Sequence, residues 1–417
     1  MRTNWKKEAI IYEIFPRIFS EEGNFQGIIN RMPALSDLGV NTLWLMPIHK
    51  IGTKHRKGTL GSPYAVSDHY SLNPDLGDET DFHKLVETAH KNNFRLIIDW
   101  VAMYTSCDHP WIKEHPDWYR KNEEGKIIFP PDTDWYDIAH LNYGNRELHE
   151  AMINAMEYWL KKFDIDGFRC DTAGNMYGEK PTIFWKKAIK RLSKINPEIL
   201  MLAEWEDSEF HKAGFDLTYS WKLYHLLKKI KNNEESASSV HKLLVEQKKE
   251  FPKDALRLRI IENHDEQRAA LTFDKQISKI YATLIFTIDG VPLLYNGQEI
   301  GETERPSHFE PFKINWQAGD RKLRNFYKKL IKIRLSNPAL IHGNIKQIPT
   351  DDDAQIYAFS RQYKDNIIVT VLNFSGSDIK IDFGFPHDGK WVDLLAEKSI
   401  TVNKNKKEHL RLLPYSA

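Results

Sequence analysis

Three carboxylic acids, Asp171, Glu204 and Asp265, each stand at the downstream end of a short apolar segment. In a parallel barrel the strands deliver the side chains at their carboxyl ends to one face, where barrel enzymes hold their catalytic groups. Two carboxyl groups that flank a bond, with a third nearby, are the groups that cleave a glycosidic linkage. The pattern therefore predicts a glycoside hydrolase.

The neighbours of two of these acids indicate which catalytic role each acid has. Alternation along a strand places Arg169 and Asp171 on the same face, and a guanidinium beside a carboxylate favours the ionised form that a nucleophile needs. Glu204 precedes Trp205 and follows an apolar strand. Apolar surroundings favour the protonated form of a carboxyl group, which suits a general acid.

The third acid belongs to a polar run, Asn263-His264-Asp265, that follows an apolar segment. Such a cluster is costly to bury unless its members are paired or bind a ligand. Aromatic side chains crowd the same strand ends, and their rings form platforms for the apolar C–H faces of sugars. The candidates are Tyr64, Trp100, Trp111, Trp118, Trp135, Tyr136 and Trp205. We expect two or three of them to contact sugar and the rest to be packing residues.

The composition limits the class of protein. The 417 residues include 41% hydrophobic and 28% charged side chains, which is typical of a soluble globular protein larger than one ordinary domain. The formal net charge of +1, from 59 basic and 58 acidic residues, gives no reason to expect nucleic acid or a membrane surface as a partner. No apolar stretch is long enough to span a bilayer. The two cysteines, Cys107 and Cys170, are interpreted as packing thiols.

The first eight residues contain no apolar segment of a signal peptide. We therefore expect a cytoplasmic protein, or a secreted one if the sequence begins after a removed signal. The oligomeric state is not predicted.

Strand-like and helix-like segments alternate in the rhythm of βαβ units. The helical segments carry apolar residues at helical spacing, as in Phe82, Leu85, Val86 and Ala89. Eight units predict an α/β fold, a (β/α)8 TIM barrel. The predicted strands are residues 9–15, 42–46, 95–100, 167–171, 199–204, 215–219, 257–262 and 291–295.

Two further regions depart from this rhythm. The connection after the third strand is long and rich in Pro, Trp and Asp, which predicts a small inserted lobe. Short alternating runs near the end of the chain predict a C-terminal antiparallel β domain. The predicted division is a barrel of residues 1–100 and 147–340, an inserted lobe of residues 101–146, and a β domain of residues 341–417. Residues 234–251 are expected to form a solvated helix that is polar and basic on one side.

The chain resembles the α-amylase family of retaining α-glycoside hydrolases (glycoside hydrolase family 13) from about Trp5 to its end. Residues 167–173, Gly-Phe-Arg-Cys-Asp-Thr-Ala, match the nucleophile strand of that family. Ala203-Glu204 matches the acid/base strand, and Asn263-His264-Asp265 matches the strand that carries the stabilising aspartate. Residues 97–101 match the third-strand motif, and residues 61–68 resemble the second-strand loop whose tyrosine stacks on the sugar.

The resemblance implies a role for each candidate site residue. Asp171 is the implied nucleophile, Glu204 the general acid/base and Asp265 the stabiliser, which together imply a retaining mechanism without a cofactor. The implied substrate-binding residues are Tyr64, Asp99, Arg169, Trp205, His264 and Tyr104.

The sequence departs from the family pattern where a structural calcium is usually held. Met103-Tyr104 stands where the family has Asn-His, and His140 stands where an acidic ligand is common. A thioether is a poor ligand for a hard cation, and a histidine is a poor substitute for a carboxylate. We therefore expect no bound metal. Tyr104 is expected either to alter the first sugar subsite or to pack under the inserted lobe.

Three functions remain open at this stage. The first is hydrolysis of α-1,4-glucosidic bonds in starch-like glucans or maltooligosaccharides. The second is glucan transfer, or exo-acting α-glucosidase activity, by the same glycosyl-enzyme. The third is a catalytically weak, carbohydrate-binding relative, against which the three intact carboxylates argue.

Overall fold

The computed structural model describes residues 5–417. Eight parallel strands form a closed barrel in the spatial order β1-β8-β7-β6-β5-β4-β3-β2. The strands are β1 (Ile11–Ile14), β2 (Thr42–Leu45), β3 (Arg95–Trp100), β4 (Gly167–Cys170), β5 (Leu200–Ala203), β6 (Leu217–Tyr219), β7 (Leu256–Arg259) and β8 (Val291–Tyr295). The predicted barrel is confirmed, and each predicted strand overlaps one of these eight.

Helices connect the strands. They comprise Trp5–Glu8, Pro16–Phe19, Phe25–Leu38, Glu79–Lys91, Trp111–Glu114, Arg146–Phe163, Pro181–Ile195, Ser208–Ala213, Trp221–Lys231, Ser238–Glu250, Ala269–Thr272, Asp274–Thr287, Arg321–Ser336 and Pro338–His342, with 3₁₀ turns at Pro116–Trp118 and Gln298–Ile300. In Glu79–Lys91 the apolar residues predicted at helical spacing are all buried, and Asp78 and Asp81 form a capping box at its start. Within residues 5–417, none of the helices combines the length and apolar character that crossing a bilayer requires.

The helix Ser238–Glu250 lies within the segment predicted to be a solvated helix that is polar and basic on one side. Val240, Leu244 and Gln247 are buried, and its other residues are partly or fully exposed. The Gln247 side-chain oxygen accepts a hydrogen bond of 3.0 Å from Arg259 Nη1 on β7.

The register between neighbouring strands positions the candidate residues. Asp99 on β3 pairs with Arg169 on β4, and Cys170 pairs with Ala203 on β5. Because Asp171 and Glu204 directly follow that second pair, they leave the barrel side by side. The strand register thus brings side chains from three distant segments of the sequence into one cluster.

The long connection after β3 contains a short antiparallel hairpin. Tyr104–Ser106 pairs with Ile138–His140, with Tyr104 opposite His140. A second hairpin, formed by His49–Ile51 and Val66–Leu72, follows β2. The predicted domain limits at residues 100, 146 and 340 stay a prediction.

The C-terminal region is an all-antiparallel β domain, as predicted. Its strands are β9 (Asn344–Gln347), β10 (Ile356–Tyr363), β11 (Asn366–Asn373), β12 (Ile379–Phe383), β13 (Gly389–Val392), β14 (Ser399–Val402) and β15 (Glu408–Leu412). They pair as β9-β10-β11, β12-β15 and β13-β14. A core of Ile356, Ala358, Ile381 and Phe383 lies between strands from two of these sheets.

By density of internal contacts the chain divides into two compact units. One comprises residues 11–219 and 304–317, and the other comprises residues 5–10, 220–303 and 318–417. The cores of both units are rich in large apolar side chains, including Trp44, Trp100, Trp159 and Trp185 in the first.

Candidate active site

Arg169 is the centre of the cluster in the first unit. Its guanidinium is fully buried and donates from Nη1 to Asp99 Oδ1 at 2.9 Å and to Asp171 Oδ1 at 3.0 Å. Its Nη2 lies 2.7 Å from Glu204 Oε1. Burial by itself lowers the pKa of Arg169, but the charges of Asp99 and Glu204 outweigh it and hold the pKa well above its usual value. A permanently charged guanidinium therefore gathers three carboxylates that would otherwise repel one another.

Thr172, which follows Asp171, contacts both of the implied catalytic acids. Its backbone N–H donates to Glu204 Oε2 at 2.7 Å, and its hydroxyl donates to Asp171 Oδ2 at 3.0 Å. The φ angle of Thr172 is +39°, a left-handed conformation that is costly for a β-branched residue. Strain of this kind concentrates at functional sites, where the surrounding structure holds it.

Polar groups contact Glu204, whose side chain is 12% exposed. The Arg169 guanidinium and the Thr172 backbone N–H both reach its carboxyl group. Trp205 is packed against Gly174, where an added Cβ would overlap the indole ring. The expectation that apolar surroundings favour the protonated form of Glu204 stays a prediction.

Tyr104 points inward, to Asp171. Its hydroxyl donates to Asp171 Oδ2 at 2.8 Å, and only 5% of the residue is exposed. Burial, together with the charge of Asp171, raises the pKa of Tyr104 well above its ordinary value, so the phenol remains a donor. The edge of the Trp135 ring packs on Tyr104 at a centroid distance of 5.8 Å. Tyr104 thus packs under the lobe and also engages the implied nucleophile.

Tyr64 and Asp99 complete the cluster in this unit. The Tyr64 hydroxyl donates to Asp99 Oδ2 at 3.2 Å, and Asp99 is fully buried. The structure therefore joins Tyr64, Asp99, Arg169, Tyr104 and the first two acids, as well as Thr172, which the sequence patterns did not single out. A threonine at the end of a strand carries no local signal of this role.

The residues predicted in the second unit form their own polar group. His264 Nε2 lies 3.0 Å from Asp265 Oδ2, with the histidine buried and 45% of the aspartate side chain exposed. Asn263 Oδ1 accepts hydrogen bonds of 3.0 Å from the backbone N–H groups of Asp265 and Glu266. The turn after β7 thus presents Asp265 to solvent and ties it to a buried imidazole.

The predicted aromatic platforms separate into two groups. Trp100 and Trp118 are buried and serve packing, as expected for most of this set. Tyr136 is 51% exposed, and Trp111, Trp135 and Trp205 are half-buried. These four have ring surface available to a ligand.

The residues at the expected calcium position do not fit that ion. The Met103 thioether is buried, and its sulfur lies 3.6 Å from the Thr172 hydroxyl oxygen. Burial lowers the pKa of His140 to about 4, so its imidazole is neutral at pH 7. In the part of the chain that the structure describes, no group of three or more His, Cys, Asp or Glu side chains is placed to hold a metal.

Comparison with known proteins agrees with this architecture. A family model described as alpha amylase, catalytic domain, matches residues 6–140 and 129–327, and one described as alpha amylase, C-terminal all-beta domain, matches residues 348–414. Alpha-amylase 3 of Dictyoglomus thermophilum is 28% identical over 480 residues, covering 99% of this chain and 93% of that protein. The alpha-1,4-glucan:maltose-1-phosphate maltosyltransferase of Picrophilus torridus is 29% identical, covering 89% of this chain and 61% of that protein.

A solved structure gives the same result. The noncanonic maltogenic alpha-amylase AmyB of Thermotoga neapolitana superposes with a TM-score of 0.91 at 28% identity, covering 99% of this chain and 98% of that one. The matches extend over the barrel and the β domain alike. The chain therefore belongs to the α-amylase family of glycoside hydrolases, glycoside hydrolase family 13.

Proposed function

We propose that this enzyme hydrolyses α-1,4-glucosidic bonds in starch-like glucans or maltooligosaccharides with retention of configuration. The observation that carries the proposal is the guanidinium of Arg169, which bonds Asp171 at 3.0 Å and lies 2.7 Å from Glu204. A shared guanidinium favours the short carboxyl spacing of retaining enzymes, about 5–5.5 Å, over the about 6.5–9.5 Å of inverting ones. The names of similar proteins, an alpha-amylase and a glucan maltosyltransferase, support an α-glucan as substrate.

In the first half-reaction a carboxylate oxygen of Asp171 forms a bond to the anomeric carbon. The glycosidic C–O bond breaks, and Glu204 gives its proton to the departing sugar oxygen. Asp171 suits this role because its charge is supported by Arg169 on Oδ1 and by two hydroxyl groups on Oδ2. The product is an aspartyl glycosyl-enzyme.

In the second half-reaction water replaces the departed sugar. Glu204 takes a proton from the water, the water oxygen bonds to the anomeric carbon, and the ester bond to Asp171 breaks. The contacts of Glu204 with Arg169 and with the Thr172 N–H favour its ionised form, which is the form a base requires. Two displacements return the α configuration.

The remaining candidates would bind the sugar. Asp265 is proposed to accept hydrogen bonds from sugar hydroxyls, because its carboxylate is exposed and is held by His264. Tyr64 offers a ring face beside Asp99.

The alternatives make different products. A glucan transferase would pass the glycosyl group to a second sugar, and an exo-acting α-glucosidase would release glucose alone. Chromatography of the products from maltoheptaose, starch, pullulan and cyclodextrin separates these cases, since new longer chains indicate transfer. Binding of maltoheptaose without any product would identify a catalytically weak, carbohydrate-binding relative.

Replacement of the two acids tests their roles. Asp171→Asn should abolish turnover while retaining oligosaccharide binding, because it removes the nucleophile but keeps its shape. Glu204→Gln should lose activity on maltoheptaose and regain part of it on α-maltosyl fluoride, whose leaving group needs no proton. Exposed Asp132→Asn and Glu234→Gln are matched controls and should retain wild-type rates.

The proposal would be rejected by wild-type starch hydrolysis in either catalytic variant. NMR of the first-formed product should show the α-anomer. An initial β-anomer would exclude the double displacement.

A further inference from the structure

Three loops of the first unit meet around Lys57, and we call their contact the Lys57 wall. It comprises residues 57–60 of the loop after β2, residues 134–137 of the inserted lobe, and residues 308–310 after β8. Lys57 is 9% exposed, and its Nζ lies 3.5 Å from Asp134 Oδ2 and 3.9 Å from Asp137 Oδ1. The same ammonium group lies over the rings of Tyr136, at 4.9 Å, and Phe309, at 5.6 Å. One buried cation therefore joins segments that are far apart in sequence.

Main-chain contacts fix two of these loops to each other. The Leu60 N–H donates to the Phe309 carbonyl at 2.8 Å, and the Thr59 N–H donates to Glu310 Oε1 at 3.2 Å. Gly58 between them has a φ of +58°, and a Cβ at that position would lie 2.9 Å from the Phe309 carbonyl oxygen. Glycine is required here because the loops approach backbone to backbone.

The wall reaches the cluster of acids by two routes. On one side the His308 ring contacts Tyr64, with centroids 6.0 Å apart, and Tyr64 donates to Asp99. On the other side Trp135 packs on Tyr104, which donates to Asp171. The first route ends at Asp99, and the second ends at Asp171, the implied nucleophile.

The position of the wall has a consequence for the substrate. In a retaining mechanism the glycone, the sugar that becomes attached to the enzyme, lies against the nucleophile, and the acid/base residue faces the departing part. Because the wall contacts Tyr64 and Tyr104, which donate to Asp99 and Asp171, we assign it to the glycone side. On that side it would stand in the path of a long glucan bound across the site.

We infer that the Lys57 wall closes the glycone side into a short pocket, so that the enzyme acts on the non-reducing ends of α-glucans and releases short units. The inference rests on the proposed α-glucan hydrolysis and adds to it the end of the chain that is recognised. An open cleft would instead accept internal segments.

The test compares two p-nitrophenyl maltoheptaosides that differ only at the non-reducing end. In the free substrate the non-reducing glucose is unmodified. In the blocked substrate that glucose carries a 4,6-O-ethylidene group. Products are followed by chromatography without auxiliary enzymes. The free substrate should be cleaved, and kcat/KM on the blocked one should be at least 100-fold lower. Equal rates on the two would overturn the inference, whereas cleavage of neither would reject the proposed hydrolysis itself.

A double variant opens the wall without changing the acids. Lys57→Ala with Phe309→Ala removes the cation and one of the rings over which it lies. The ratio of kcat/KM on the blocked substrate to kcat/KM on the free substrate should rise at least tenfold. Lys54→Ala, an exposed lysine of the same loop, is the matched control and should leave the ratio unchanged. Activity on the free substrate reports that the double variant is folded. An active double variant with the wild-type ratio would show that the wall does not select chain ends.

Discussion

At the scale of single residues, the hydrogen bond from Tyr104 to Asp171 adds a second kind of support for the implied nucleophile. Arg169 supplies charge on one carboxylate oxygen, while the hydroxyls of Tyr104 and Thr172 supply neutral donors on the other. In the proposed mechanism, a neutral donor would stabilise the carboxylate as it departs from the sugar in the second half-reaction. The same donor would make the carboxylate a weaker nucleophile in the first.

Tyr104→Phe should therefore slow release of the sugar from the enzyme. A hydrogen bond to a charged group contributes about 1.5–3 kcal/mol, and about 1.36 kcal/mol corresponds to a tenfold rate change. We expect kcat on α-maltosyl fluoride to fall about tenfold or more. KM should fall with it, since the glycosyl-enzyme accumulates when its breakdown becomes limiting. Steady-state kinetics measure both constants.

A matched control for this variant is Tyr143→Phe. The Tyr143 hydroxyl is also buried and donates to the Ala102 carbonyl at 2.6 Å, so its loss should affect stability more than catalysis. If Tyr104→Phe raised KM and left kcat unchanged, Tyr104 would serve sugar binding and not the departure of Asp171.

At the scale of elements, the turn before β4 connects the barrel strands that hold the cluster. Asp166 in this turn is buried and accepts hydrogen bonds of 2.8 Å from Arg95 Nη1, the Leu96 N–H and His90 Nε2. His90 lies in the last turn of the helix Glu79–Lys91. The contacts tie that helix and β3 to the start of β4, upstream of the Asp99–Arg169 pair.

This turn should make stability depend on pH. The hydrogen bond and charge of Asp166 raise the pKa of His90, although burial opposes them. A raised pKa in the folded state means that the contribution of His90 is complete below its unfolded pKa of about 6.5. The contribution is lost as the pH rises through the folded pKa. The loss of melting temperature caused by His90→Asn should therefore be larger at pH 5.5 than at pH 9.

A second variant, Asp166→Asn, tests whether Asp166 causes this pH dependence. With Asp166→Asn already present, His90→Asn should lose this pH dependence, because the carboxylate that raises the pKa is gone. A destabilisation by His90→Asn that grows toward high pH would contradict the assigned direction.

At the scale of the whole molecule, the chain is proposed to fold and work without calcium. Met103 and His140 replace the expected oxygen ligands, and the Asp137 carboxylate lies 3.9 Å from Lys57 Nζ. A ligand at 100 times its dissociation constant would stabilise the native state by about 2.7 kcal/mol. A chain of this size would then lose roughly several degrees of melting temperature on removal of the ion.

Treatment with EDTA should therefore leave the melting temperature and the rate on maltoheptaose unchanged. Differential scanning calorimetry with and without the chelator measures the first. A large decrease that added calcium reverses would show that other oxygen atoms build a site.

Much of the architecture was predictable because its signals are local. An apolar run with a polar residue at its end predicts a barrel strand wherever it falls, and all eight strands were found. Two of the eight strands match at both ends, and the ends of the others differ by at most three residues. Hydrogen bonding to the neighbouring strand decides where a strand stops. The sequence predicts the helix Ser238–Glu250, but which of its residues are buried depends on what packs against it.

The sequence by itself determined the family, the barrel with its β domain, and the identity of the candidate acids, because those depend on residue type and short spacing. Only the tertiary structure decided which groups meet. Tyr104 and Asp171 are 67 positions apart, and the Leu60–Phe309 contact joins residues 249 positions apart. Such contacts depend on strand register and on how separate loops close. No local sequence pattern encodes strand register or the contacts between separate loops. The polar surroundings of Glu204 and the Lys57 wall therefore appear only in the folded chain.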